Sequence, residues 1–415
     1  MGPVALVGVD RIGGIHRLFS RALPGAPCSP ETSESSRSPK RRGGRSGSVA
    51  ALVDLWNRVP EQRDAAPRGP PPRRRLRPAM AATAPATLAA EAHAFRDEED
   101  LQETYHANGW TDGLPIVAPT PERVEAFLAA ADLAPDTLLG EVPTREVRVT
   151  AEHAAINAVM AGCRPDYFPV VVAAVRAHLH EKANCHSTTG TLSGAVQTVV
   201  VNGPIRNRIG IECGAGCMGP GFRANASIGR ALRLVIRNVC RAIPGVLDRA
   251  SFSSPHRFSF CFGENEEASS WTPMHVERGF GANESTVTVH SVMTVDSAVD
   301  FTSRTPEALC DSMLATLRRN GIAGDEFLGD DTTAMLVIGP EHQRFFDRAG
   351  WSKADIRDYL FPKFTEDPGP NGRIVGLGKK EGLLIVAAGG DGMAQTYVLL
   401  PHLAIAITEP VIVPA

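Results

Sequence analysis

Four short apolar runs constrain the fold more than any other feature of the chain. They are Ala195–Val201, Met335–Ile338, Leu383–Ala388 and Ile405–Val413. Length and flanking turns read them as strands: Asn202-Gly203-Pro204 closes the first, Pro340 opens a helix after the second, and Gly389 to Gly392 ends the third. Phe258–Phe262 and Thr286–Val292 alternate as half-buried strands do.

Helical segments lie between these runs. Residues 91–107 read as a polar helix. Thr120-Pro121 is a cap followed by proline at the first helical position, with Val124, Phe127 and Leu128 at helical spacing. Thr150 is placed to cap a helix through Met160. Pro165 opens another, with Val170, Val171, Ala174 and Val175 on one face. Residues 226–239 carry Ile228, Leu232, Val235 and Val239 on one face, with Asn225 or Ser227 as the expected cap. Thr305-Pro306 starts a helix that Asn320-Gly321 stops, and Ser352 to Asp355 has the layout of a capping box. The expected class is α/β or α+β, a mixed sheet flanked by helices. No internal repeat is visible. The expected division is a core domain over 91–300 and a C-terminal subdomain over 301–415.

The first eighty residues differ in kind. Residues 22–79 are rich in Pro, Arg, Ser and Gly, a composition that predicts disorder, so 1–90 is set apart as a basic segment. A targeting presequence and a basic interaction tail are two readings. A start at Met80, where the composition changes abruptly, is the favoured third.

Charge follows the same boundary. Residues 1–79 hold 15 Lys and Arg against 6 Asp and Glu, a net of +9, while the rest holds 28 against 40, a net of −12. An acidic folded part argues against nucleic acid as a partner. The eight cysteines are too sparse for a secreted disulfide framework. No uninterrupted apolar run reaches membrane-spanning length. The expected setting is the cytoplasm, without membrane or nucleic-acid partners, and a homo-oligomer is left open.

Two segments carry candidate chemistry. The first is the loop from Cys213 to Gly221, which is mostly Gly and Pro. Gly219 and Gly221 would let backbone N–H groups approach an anion, and the helix that follows adds positive charge at its N-terminus. Arg223, Asn225 and Arg230 would hold that anion. A thiol in such a place is expected to be acidified, making Cys217 the first nucleophile and Cys213 its resolving partner. The second segment, 264–278, brings Glu267, His275 and Glu277 together after a strand, as acid–base catalysis requires. The His275-x-Glu277 spacing would also suit a metal if both lie on one strand face. Trp110 and Asp112, held by a rigid turn, are candidate pocket walls. Three weaker signals are Cys185 beside His186, a Cys3His zinc set of these two with Cys213 and Cys217, and the Gly389–Gly392 turn. No dinucleotide or Walker pattern names a cofactor, and no metal is assigned.

Several stretches resemble a known family. They are Gly109 to Pro115, Ala158 to Pro169, Val201 to Pro204, Gly219 to Leu234, Glu264 to Glu267 and His275 to Arg278. Over roughly 100–415 the chain resembles a bacterial family associated with UGSC-type (seleno)proteins, named for a Sec/Cys-Gly-Ser-Cys motif. This chain has Cys213-Gly-Ala-Gly-Cys217 instead, and so looks more like a companion of such a protein. The resemblance implies thiol or selenol redox chemistry nearby and a partner subunit bearing that group.

The reading from sequence is a thiol-dependent or redox enzyme acting on a small anionic substrate through the Cys213–Cys217 loop. One alternative is a lyase or hydrolase using the 264–278 segment, with or without a metal. The other is a non-catalytic subunit of a larger complex.

Overall fold

Strands form where the chain places apolar residues on both of its faces, and in the computed structural model seven of them build one curled, mixed sheet. The structure describes residues 4–7, 87–320, 331–366 and 377–414. The basic segment beyond residue 7, Met80 and Gly321 lie outside the described residues.

The strands are β1 Val4–Val7, β2 Glu91–Ala94, β3 Leu138–Val142, β4 Val147–Thr150, β5 Val196–Asn202, β6 Cys261–Gly263, β7 Thr286–Val299, β8 Ala334–Ile338, β9 Leu383–Ala387, β10 Gln395–Pro401 and β11 Ile407–Pro410. β1 pairs with β2 and β3 with β4, both antiparallel. The large sheet runs β6-β5-β7-β10-β8-β9, with β11 beside β7. β5 and β6 are parallel, as are β8 and β9, and every other pairing is antiparallel.

This order reads the same from either end. β5, the helix Arg223–Asn238, β6 and β7 form one unit. β8, the helices Pro340–Arg348 and Lys353–Glu366, β9 and β10 form another with the same connectivity. In each, a central strand leads through helix to a parallel edge strand, and a return strand pairs antiparallel on the other side. The sequence reading found no repeat because the repetition is of topology. Its trace in the residues is Gly203-Pro204 after β5 and Gly339-Pro340 after β8. The division near residue 300 falls between the units, yet β7 and β10 pair across it into one sheet.

Burial explains the apolar runs. Inward residues of five strands meet in one cluster: Val196 and Val200, Phe262, Met335 and Val337, Leu384 and Val386, and Leu399. Val199 and Val201 face outward, under the helices Ala151–Met160, Phe168–Leu179 and Arg223–Asn238. Leu336, Ile338, Leu383 and Ile385 face outward under Pro306–Asn320 and the two helices after β8. A sheet covered on both faces needs near-continuous apolar strands, each buried Leu or Ile contributing about 1.5–3 kcal/mol.

Local signals set most helix ends. Thr150 and His153 form a reciprocal capping box, and Ser352 and Asp355 do the same. Pro121 begins its helix as expected, although Thr120 makes no side-chain cap bond. Some boundaries differ. Residues 91–94 are strand, and the helix starts at Glu98 because Asp97 caps it and three acids fill its first turn. The strand expected at 258–262 starts later and spans Cys261–Gly263, since Pro255–Arg257 forms a 3-10 turn before it. β7 runs on to Val299 because β10, unforeseen in the sequence, pairs with its second half. Among the described residues no helix is long and apolar enough to cross a membrane.

Candidate functional site

The turn after β5 begins the site. Gly203 has φ +79, and a side chain there would collide with the Glu284 carbonyl, so glycine is required. The short helix Ile205–Ile209 follows and buries Arg206 to 1% exposure. The Cys-Gly loop comes next. Cys217 N–H donates to the Gly214 carbonyl (3.1 Å) and Gly219 N–H to that of Gly216 (2.8 Å). Gly216 and Gly221 take positive φ.

The helix after the loop starts at Arg223, earlier than expected, with Phe222 at its cap position and no side-chain cap bond. Asn225 has a different task. Its amide donates to the carbonyls of Glu212 and Cys217 (both 3.0 Å), and its oxygen accepts from Glu212 N–H (2.9 Å). It ties the start and the middle of the loop to the first helical turn. Ser227 donates back to the Arg223 carbonyl (2.7 Å).

The two loop thiols differ. Cys217 is buried against the sheet's inner cluster, and burial pushes its thiol up to about 11. The expectation of an acidified Cys217 therefore fails, because desolvation outweighs the helix N-terminus. Cys213 is half-buried. Its Sγ lies 3.5 Å from Arg206 Nη1. Burial raises this thiol too, with Arg206 pulling the other way.

Arg206 links the loop to the carboxylate segment. Its guanidinium forks onto Glu267 (3.0 and 3.1 Å), reaches Glu266 Oε2 (2.8 Å) and donates to the Glu264 carbonyl (2.7 Å). These bonds hold the Glu267 carboxyl down to about 2. Glu266 Oε1 also accepts from Asn202 Nδ2 (2.9 Å) and Gly203 N–H (2.8 Å). Glu264, 1% exposed, accepts from Asn202 (2.6 Å) and Met274 N–H (2.7 Å) and pairs with Lys353 Nζ (3.1 Å). Three acids and two bases thus satisfy one another in a place that would otherwise reject charge.

His275 and Glu277 part company. They lie on a four-residue helix, Met274–Glu277, and not on a strand, so they do not share a face as the metal reading requires. His275 is fully buried with Nδ1 3.9 Å from Glu266 Oε1, and neither ring nitrogen has a hydrogen-bond partner among the described residues. Glu277 turns to Arg357, which forks onto it (2.8 and 2.9 Å), and to Lys353 (3.4 Å). Burial acts to raise Glu277, but these cations hold it below its ordinary value.

The expected anion holders are otherwise engaged. Arg223 donates to the Gly162 carbonyl (3.0 and 3.1 Å). Arg230 forks onto Asp112 with two bonds of 2.8 Å, which keep that carboxyl low against its burial. Asp112 is therefore a structural anchor. Trp110 packs edge-on against Tyr105, with ring centroids 5.4 Å apart. The Gly389–Gly392 turn does meet the loop: Gly389 N–H donates to the Cys213 carbonyl (2.8 Å), and a Cβ on Gly390 would lie 2.6 Å from Ala215 Cα. Just past β6, Asn265 N–H donates to the Ala387 carbonyl (2.7 Å), closing the curled sheet at this point. The Cys3His set does not assemble: His186 bonds Thr144 (2.8 Å), and no metal-holding group occurs among the described residues. A groove of about 210 Å³ lined by Leu133, Val172, Arg176 and Ile412 shares no residue with this constellation.

Sequence reasoning missed Asn202, Arg206 and Lys353. Asn202 and Arg206 flank a Gly-Pro turn at the end of a buried strand, a readable position. Lys353 sits in the second unit, and nothing local marks it. Comparison with protein-family models, curated proteins and solved structures finds no match to the chain.

Proposed function

We propose that the chain is a thiol-dependent enzyme acting on a small anionic substrate, with Cys213 as the reacting thiol. One observation carries this reading: the Arg206 guanidinium stands 3.5 Å from Cys213 Sγ while it grips Glu266 and Glu267. A neighbouring guanidinium stabilises a thiolate as it forms. The roles of the two cysteines are thus exchanged: Cys213 attacks or exchanges, and Cys217 is the buried neighbour. Glu267, held low by Arg206, acts as a charge partner and not as a base. His275 is the group of the segment with nitrogens left to take a proton. The amides opening the helix Arg223–Asn238, which no side chain caps, suit an anion. The free state of the described cysteines suits a cytoplasmic setting. A partner subunit carrying a thiol or selenol, as the UGSC resemblance implies, belongs to the same proposal.

A second reading rests on His275. Its unpartnered nitrogens beside Glu266 favour acid–base chemistry, as in a lyase or hydrolase, with the loop only binding substrate.

Alkylation separates these. Iodoacetate, an anion, is expected to modify Cys213 faster than neutral iodoacetamide does, and other small anions are expected to compete. Cys213→Ser removes the reaction and Cys217→Ser keeps it. Faster modification of Cys217, or no preference for the anion, would sink the thiol reading. In a turnover assay, loss of activity in His275→Ala with Cys213→Ser still active would favour the second. An isolated chain that stays inert in both assays would leave a non-catalytic subunit.

A further inference from the structure

A second group of thiols lies at the opposite end of the helix Arg223–Asn238. That helix has 16 residues, so its ends are about 24 Å apart. Cys240 follows its C-terminus, and Cys185 opens the short helix Cys185–Thr189. One guanidinium pins both backbones. Arg145 donates to the carbonyls of Cys240 (2.6 Å), Cys185 (3.4 Å) and His186 (2.9 Å), and to Thr189 Oγ1 (2.7 Å). The same guanidinium thus brings the two cysteines side by side, where each thiol acts on the other.

An imidazole completes the group. His178 is 1% exposed, and its ring nitrogens have no hydrogen-bonded oxygen or nitrogen partner among the described residues. It acts on the Cys185 thiol. The bond from Cys240, then His178 and Arg145, hold Cys185 well below the usual thiol range despite its burial, while Cys240 is pushed up. The other described cysteines lack this arrangement. Cys163 and Cys310 are each pushed up to about 12 by burial, and Cys261 is raised further. His186, the sequence neighbour of Cys185, takes no part.

We propose that Cys185 and Cys240 form a second thiol site, at which hydrogen peroxide makes an internal disulfide. The Cys185 thiolate attacks one peroxide oxygen and the O–O bond breaks. Cys185 becomes a sulfenic acid, and the hydroxide released takes up the proton Cys185 had given up, leaving as water. The Cys240 sulfur then attacks the Cys185 sulfur, the S–O bond breaks, and hydroxide leaves as water with the Cys240 proton. Two thiols and one peroxide yield one disulfide and two waters. Peroxide is little larger than water, so it can reach thiols that bulkier oxidants cannot.

The test uses the full chain and limiting hydrogen peroxide, followed by alkylation without reductant and peptide mapping. The expected result is a peptide linking Cys185 to Cys240 that dithiothreitol releases. Cys240→Ser should lose the linked peptide and leave a Cys185 sulfenic acid that dimedone traps. His178→Ala should slow the linkage. The proposal is overturned if wild-type Cys185 and Cys240 both remain alkylatable after oxidation. It is equally overturned if Cys185 passes to sulfinic acid with Cys240 untouched. None of these results depends on what Cys213 does in catalysis.

Discussion

The two βαββ units, Val196–Val299 and Ala334–Pro401, share strand order and a Gly-Pro turn but differ in what their loops carry. In the first, Arg206 follows that turn and meets three glutamates from the loop after β6. In the second, the residue at the same distance from the glycine is His342, which is buried and whose ring bonds Thr396 Oγ1 (2.9 Å) and the Asp300 carbonyl (3.1 Å). The loop after β9 is glycine-rich and has one exposed acid, Asp391, paired with Arg344. One topology thus carries a buried ion network in one copy and, in the matching loops of the other, a neutral hydrogen-bonded imidazole and an exposed ion pair. The strands hold the sheet together, and the loops of one unit supply the ion network. The second unit contributes Lys353 and a glycine turn thin enough to lie on the Cys213 loop.

Replacing the two equivalent residues tests this difference most strongly. Arg206→Met leaves Glu266 without its ion pair near the core, which should cost about 3–5 kcal/mol. It should also abolish the preference of Cys213 for iodoacetate. His342→Ala removes a neutral, burial-lowered imidazole and leaves the Asp300 carbonyl short of a donor and the Thr396 hydroxyl short of an acceptor, for about 1–3 kcal/mol. Urea unfolding of both variants measures the gap. Equal losses would mean that the two units are energetically alike and that the network adds nothing beyond packing.

The contact between units comes next. Gly390→Ala would drive a Cβ into the backbone of Ala215. The loop must then shift, at a cost of about 1–3 kcal/mol. Alkylation of Cys213 should become faster as its cover loosens, and Cys217 should follow more weakly. Gly392→Ala, with no atom within 4 Å of its added Cβ, is the steric control, although its φ of +154 carries some backbone strain. An unchanged Cys213 rate in Gly390→Ala would mean that the second unit does not cover the site.

Much of the fold was legible because it is written locally. Buried strands appear as Val-Val-Val or Leu-Val-Ile, and caps such as Thr150 and Ser352 act within three residues. The duplicated order was not legible, since it resides in which strands pair. Half of the site was readable for the same reason. Glu267 and His275 stood out as a cluster in sequence, and the Cys-Gly loop stood out by composition. The expected helpers failed because Arg223, Arg230 and Asp112 are consumed by partners far along the chain, at Gly162 and in the 112–230 pair. The expected acidity of Cys217 failed because burial, which the sequence does not display, decided it. Lys353 sits 89 residues from Glu264, and such a partner carries no local mark.

The smallest expected effect concerns acid stability. Glu267 is held at about 2 by its bonds to Arg206, below its ordinary 4.5. A carboxyl lowered on folding stabilises the protein above its ordinary value, and that stability is lost as pH falls through the folded one. The window is therefore from about 4.5 down to about 2. Its side chain is 59% exposed, so solvent screening limits the contribution to about 1 kcal/mol or less. Glu267→Gln should flatten the stability profile by that amount across this window and match the wild-type slope above it. If the variant instead loses several times more at neutral pH, Glu267 is a full member of the buried network, and the line between the buried Glu264–Glu266 pair and its exposed neighbour must be redrawn.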